Sequence, residues 1–148
     1  MKTLNFDIVI DAKREIVWNT MLAPDSYKSW TSAFFDGSYY EGSWEKGERI
    51  RFMDPNGSGM VAVITENRPY EYISIKHIGY INGGVEDFDS DEVRSWAPVF
   101  ENYSFSDVGE TTRLEVSLEI APVFEEQMVN DWPIALAKLK ELCEAASG

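Results

Sequence analysis

The sequence predicts an α+β fold in which a curved antiparallel sheet of seven strands wraps around one long C-terminal helix, with two short helices after the first strand. Three observations carry that prediction. The strand region opens and closes on two-residue alternation, in TLNFDIVI and TRLEVSLEI. Between these segments, turn signals such as EKG, DPNGSG and DVGET separate short runs rich in β-branched and aromatic residues. After Pro122, the residues Phe124, Met128, Trp132, Ala135, Leu139 and Leu142 follow at spacings of four, four, three, four and three, which places one apolar stripe along a helix.

In the first strand, Leu4, Phe6, Ile8 and Ile10 alternate with mostly polar partners. Asp11 is then expected to cap a helix over AKREIVWNTML, whose Val17, Trp18, Met21 and Leu22 share a face until Pro24 stops it. PDSYKSW adds another helical turn or two. SYYEGSW, RIRFM, MVAVITENR, YISIKHI and ENYSFSD supply the next five strands as an antiparallel meander. In the last strand, Leu114, Val116, Leu118 and Ile120 oppose Arg113, Glu115, Ser117 and Glu119, so one face of the sheet meets water. Pro133 is expected to kink the long helix, because its ring removes a backbone donor and crowds the carbonyl four residues earlier.

A chain of 148 residues suits one domain. Thirteen basic against 26 acidic residues give a formal charge of −13, which repels phosphate backbones and anionic lipid surfaces, so nucleic acid is not an expected partner. The single cysteine, Cys143, excludes an internal disulfide, and MKTLNFDIVID lacks the apolar core of a signal peptide, so a cytoplasmic location is expected. No apolar run approaches the roughly 20 residues that span a bilayer, and membrane insertion is not expected.

One helix cannot close fully against a seven-stranded curved sheet, and the gap between them is where a cavity is expected. VWNTMLAPDSYKSW, the hairpin YYEGSWEKGERIRF and the helix DWPIALAKLKELCE, in this order of elements, resemble the START-like helix-grip (SRPBCC) superfamily. Within it, the chain is most similar to proteins named after the activator of heat-shock protein 90 ATPase homologue. The resemblance covers nearly the whole chain and implies a helix-grip fold around an apolar cavity. Superfamily members include lipid carriers, hormone receptors and aromatase- or cyclase-like proteins, so the fold alone assigns no chemistry.

The candidate site starts from the stretch Ser26 to Trp44, where seven of 19 residues are aromatic. Alternation puts Tyr40 and Trp44 on one strand face with Gly42 between them, leaving room beside the rings, and Trp30 reaches over from the short helix. These three rings are expected on a pocket wall, with a filled interior as the bland alternative. His77, the only histidine, shares a face with Ile73 and Ile75. Glu101 shares the face of Tyr103 and Phe105, and antiparallel pairing of the two strands brings His77 and Glu101 to one end of the cavity. The pair reads either as a polar group that orients a ligand or acts as acid and base, or as a structural contact at the sheet's edge. Tyr80 and Trp96, from the long connection over residues 79–98, join the candidates as parts of a lid or of a solvated loop holding a short helix around Asp91 to Trp96. Tyr103, Met128 and Trp132 complete the set. Trp18 and Trp132 are also expected to anchor helices to the sheet.

No metal or other cofactor is expected. DFDSDE has the alternate acids of a calcium loop at Asp87, Asp89 and Asp91, but Glu92 stands where that loop needs glycine and Pro98 where it needs glutamate. One histidine and one cysteine cannot furnish a usual zinc site. The expected function is binding of a small apolar or aromatic molecule. The alternatives are a module that interacts with a chaperone or another protein, as the family resemblance implies, and a cyclase- or hydrolase-like enzyme using the same cavity. Catalytic residues are not assigned.

Overall fold

The computed structural model describes residues 1–147. The chain begins with β1 (Lys2–Ile10), in which Leu4, Phe6, Ile8 and Ile10 turn inward while Asn5, Asp7 and Val9 stay exposed. Two short helices follow, α1 (Arg14–Leu22) and α2 (Pro24–Thr31), then β2 (Tyr39–Gly42), β3 (Arg49–Met53), β4 (Gly59–Arg68) and β5 (Tyr72–Asn82). A short β6 (Val85–Asp87) and α3 (Asp91–Trp96) lead to β7 (Val99–Val108) and β8 (Thr111–Ile120). A single 3₁₀ turn, Pro122–Phe124, precedes α4 (Glu125–Ser147).

The main sheet runs β1-β8-β7-β5-β4-β3-β2, all antiparallel, and β6 adds an eighth strand by pairing with β5. The extra strand was hidden because VED is too short and polar to carry a strand pattern; it forms because Gly83 and Gly84 reverse the chain and return it onto β5. Pairing between β4 and β5 shifts twice, at Val61/Ala62 and at Ile64/Glu66. Such bulges increase twist and bend a strand, which lets the sheet curl around a helix.

Asp11 does not cap α1. Its backbone N–H donates to Glu144 at 2.9 Å, tying the end of β1 to α4, and the helix starts three residues later, with Lys13 in the capping position and no side-chain cap. Pro24 both ends α1 and opens α2 at a helical position where its missing N–H costs nothing. α4 continues as one element through Pro133. It packs on α1, α2 and β1, burying Trp132, Ala135, Leu136, Leu139 and Cys143, each large apolar side chain contributing about 1.5–3 kcal/mol relative to exposure. Burial pushes the Cys143 thiol up to about 11, against a weaker opposing hydrogen bond from Thr20. Trp18 anchors the other end of the core, its ring 5.2 Å from that of Phe105. Among the described residues, no helix is long and apolar enough to cross a membrane.

Candidate functional site

The sheet and α4 do not meet everywhere, and a cavity of about 540 Å³ lies between them. Nine of the ten candidates from the sequence border it: Trp30, Trp44, His77, Tyr80, Trp96, Glu101, Tyr103, Met128 and Trp132. Tyr40 does not. Its ring meets Tyr27 edge-on at 4.9 Å and its hydroxyl donates to the Leu22 carbonyl, so it holds α1 and α2 onto the β2 edge. Tyr40 and Trp44 do meet edge-on, with ring centroids 5.2 Å apart, but not by strand alternation, which breaks at Gly42, where φ is +118° and β2 ends. Gly42 leaves no space beside the rings either, because a Cβ there would lie 2.5 Å from the Arg49 carbonyl oxygen. Trp44 reaches the cavity from the turn beyond the strand.

Trp30 is buried on α2, and its indole N–H donates to the Met21 carbonyl at 3.0 Å, which locks the ring into the wall. Trp132 is both core anchor and wall. It packs against Phe34 at 5.0 Å, Phe6 at 6.0 Å, Tyr103 at 6.1 Å and Trp30 at 6.2 Å, joining α4 to α2 and to two strands. Six rings that sequence reasoning did not select also border the cavity: Tyr27, Phe34, Phe35, Phe52, Phe100 and Phe124. Phe52 alternates with Arg51 and Met53 on β3 and could have been found from that period; Tyr27 sits within the aromatic stretch, on α2.

At one end of the cavity, pairing of β5 with β7 sets Glu101 opposite Ile75, one two-residue step from His77. The imidazole Nε2 lies 3.0 Å from Glu101 Oε1, and the Tyr103 hydroxyl donates to Glu101 Oε2. With Glu101 ionised, Nε2 of a neutral His77 carries the proton, and the lone pair falls on Nδ1. That atom is buried and has no hydrogen-bond partner. A neutral histidine oriented through one nitrogen can accept a hydrogen bond at the other.

The bulge after His77 matters for the next residue. Ala62 pairs with His77 and Val61 with Gly79, so Ile78 is extra and the alternation advances by one. Tyr80 comes round beside Trp96, with ring centroids 4.8 Å apart, in a small cluster with Met60, Val93 and Val99 that is separate from the main core. Burial, then the charge of Glu92, raises the Tyr80 hydroxyl above its ordinary value. The long connection is therefore a hairpin followed by the helix α3. Its acids serve the turn: Asp87 Oδ1 accepts from the Asp89 and Ser90 backbone N–H groups, and Ser90 caps α3 by accepting from Val93 N–H at 3.2 Å. Among the described residues, no group of three or more His, Cys, Asp or Glu is placed to hold a metal ion.

Burial, the charge of Glu101 and that of Tyr40 together raise the Tyr27 hydroxyl far above its ordinary value. In the unfolded chain a tyrosine ionises near 10, so above that pH the unfolded state releases a proton that the folded state retains. Stability from this source is complete below about pH 10 and falls as pH rises. Tyr27→Phe is expected to lose less stability than the parent between about pH 8 and about pH 11; urea midpoints that fall in parallel for the two proteins would contradict this.

The comparisons with known proteins agree with this architecture. The family described as Activator of Hsp90 ATPase homolog 1-like protein matches residues 11–144. The solution structure of the Aha1 dimer from Colwellia psychrerythraea aligns with TM-score 0.74 at 19% identity, covering 100% of both chains. A crystal structure from Mesorhizobium loti aligns with TM-score 0.73 at 15% identity, covering 97% of this chain and 98% of that one. CalU16 from Micromonospora echinospora aligns with TM-score 0.67 at 15% identity, over 95% of this chain and 75% of its own. At these identities the structural likeness shows the fold alone. No curated protein matches the chain. With the match extending from the end of β1 almost to the end of α4, the chain belongs to the Activator of Hsp90 ATPase homolog 1-like family, with the helix-grip (SRPBCC) fold.

Proposed function

We propose that the chain binds a small, mainly apolar aromatic molecule in the cavity between the sheet and α4. Its volume lies within the roughly 300–1,000 Å³ of small-molecule sites, and its wall has the usual character of one, mostly aromatic and aliphatic with a few polar groups. One observation carries the reading. Trp44 Nε1, His77 Nδ1 and Trp96 Nε1 are buried without a partner, and all three belong to residues that border this cavity. Leaving such a group unpaired costs about 1–3 kcal/mol, so a molecule that pairs with them recovers part of that cost. All three atoms are covered, so a ligand pairs with them as the wall repacks around it.

The test is native mass spectrometry of the gently purified protein, followed by titration with the neutral dye phenylnaphthylamine while tryptophan emission is recorded. Four of the five tryptophans border the cavity, so binding there quenches most of the emission. A retained small molecule or a saturable single-site quench supports the reading. An empty protein together with linear, unsaturable quenching counts against it.

A second reading is a surface for a chaperone or another protein, in line with the family's description. Phe35 and Phe124 border the cavity yet are 54% and 41% exposed, and the adjoining Val123 is 81% exposed, which is unusual for large apolar side chains unless they meet something. Absence of retention on purified chaperone, with its ATPase rate unchanged, would remove this reading.

A further inference from the structure

We propose that the ligand is an organic cation, an aromatic amine or a quaternary ammonium compound carrying an apolar ring system. This rests on the ligand-binding reading above and specifies the chemistry of the same site. Four acidic residues border the cavity, Asp54, Glu92, Glu101 and Glu119, and not one of the chain's 13 Lys and Arg residues does. None of the four is within ion-pair distance of a Lys or Arg among the described residues. Basic side chains on neighbouring strands are engaged elsewhere: Arg51 pairs with Glu86 at 2.8 Å, and Arg49 lies over the Phe88 ring at 5.4 Å. Counting His77 as charged still leaves the wall with a net negative charge.

Existing contacts hold three of these acids in place without neutralising them, while the Glu92 side chain is exposed and makes none among the described residues. Asp54 accepts from the Asn56 and Ser58 backbone N–H groups, Glu119 from that of Phe100, and Glu101 from Tyr103 and His77. Around them stand aromatic faces, including Tyr27, Trp30, Trp44, Phe52, Trp96 and Trp132. Ring faces attract a cation through their quadrupole, and desolvation inside a cavity strengthens that attraction. An anion would meet the same faces and four acidic residues, with no donor cation to offset its lost hydration. The unpaired Nδ1 of His77 is an independent sign of a missing partner, because it presents a lone pair, which suits an ammonium N–H. The overall charge of −13 adds a field that draws cations toward the protein from solution.

A matched probe series separates the charge from the ring: naphthylmethylammonium, naphthylmethanol and naphthoate, titrated by calorimetry near neutral pH. The ammonium compound is expected to bind about tenfold more tightly than the alcohol, corresponding to roughly 1.4 kcal/mol, with naphthoate weakest. Glu101→Gln is expected to narrow the ratio of ammonium to alcohol affinity. Because Glu101 also holds His77, Glu92→Gln, which removes no side-chain hydrogen bond, and Glu119→Gln are the companion variants, each narrowing the ratio by roughly two- to threefold. An alcohol that binds as tightly as the ammonium compound, or a naphthoate that binds best, overturns the cation assignment and leaves the cavity reading standing. If neither the three probes nor phenylnaphthylamine binds, both fall together.

Discussion

Trp132→Ala is expected to lower the unfolding free energy by about 3–5 kcal/mol, the range for removing a large buried ring. Several effects act in the same direction. Only 4% of the residue is exposed, and its ring touches α2, two strands and the cavity, through Phe34, Phe6, Tyr103 and Trp30. Its loss removes burial, leaves the partner rings without one face, and enlarges a space that packing had already failed to close. The neighbours cannot collapse inward easily, because Trp30 is held by its bond to the Met21 carbonyl. A marginally stable protein would lose a large part of its stability, so the urea midpoint should fall steeply with little change in slope. A loss under about 1 kcal/mol would mean that the cavity repacks, and that the wall is softer than its aromatic contacts indicate.

Gly59→Ala should cost about 3 kcal/mol or more, at or above the upper end of ordinary overpacking. Gly59 begins β4 opposite Met53, and a Cβ placed there would sit 1.9 Å from the Phe52 carbonyl oxygen. The obstacle is backbone, so no side chain can rotate away. Relief requires β3 and β4 to separate at their paired end, which also borders the cavity and carries Phe52 and Met60. The expected result is a lower thermal midpoint and a weaker quench by phenylnaphthylamine in the same variant. A Gly59→Ala protein with parental stability would show that the strand pair opens at almost no cost.

Much of the fold could be read from local patterns. Alternation in β1 and β8 located the two strands that pair along their whole length, from Lys2 opposite Ile120 to Ile10 opposite Thr112. The α4 stripe held at Trp132, Ala135 and Leu139, while Phe124 at its start lies in the 3₁₀ turn and Leu136 and Cys143 join the buried face. His77 and Glu101 could be brought together on paper because their separation depends only on which strands pair and in which direction. Tyr40 could not be placed in the same way, since its alternation with Trp44 assumed a strand that Gly42 ends. Nor could the eighth strand or the advance of register at Ile78, because a bulge is set by both strands and leaves no mark on the period of one.

The amino-acid order alone determined the element types, the antiparallel meander, the amphipathic helix and the excess of acid, because each depends on residues adjacent in the chain or on a simple count. Only the tertiary structure decided where the acids and rings meet. Glu101 on β7 could be foreseen from strand pairing, but Asp54 comes from a hairpin turn, Glu92 from α3 and Glu119 from β8, and nothing in their separate surroundings marks these three as neighbours of the same cavity. Their convergence, the exclusion of every Lys and Arg from that wall and the unpaired nitrogen of His77 are properties of packing between distant segments. A linear pattern cannot encode them, because the field at a point in the cavity sums over charges brought near it by folding.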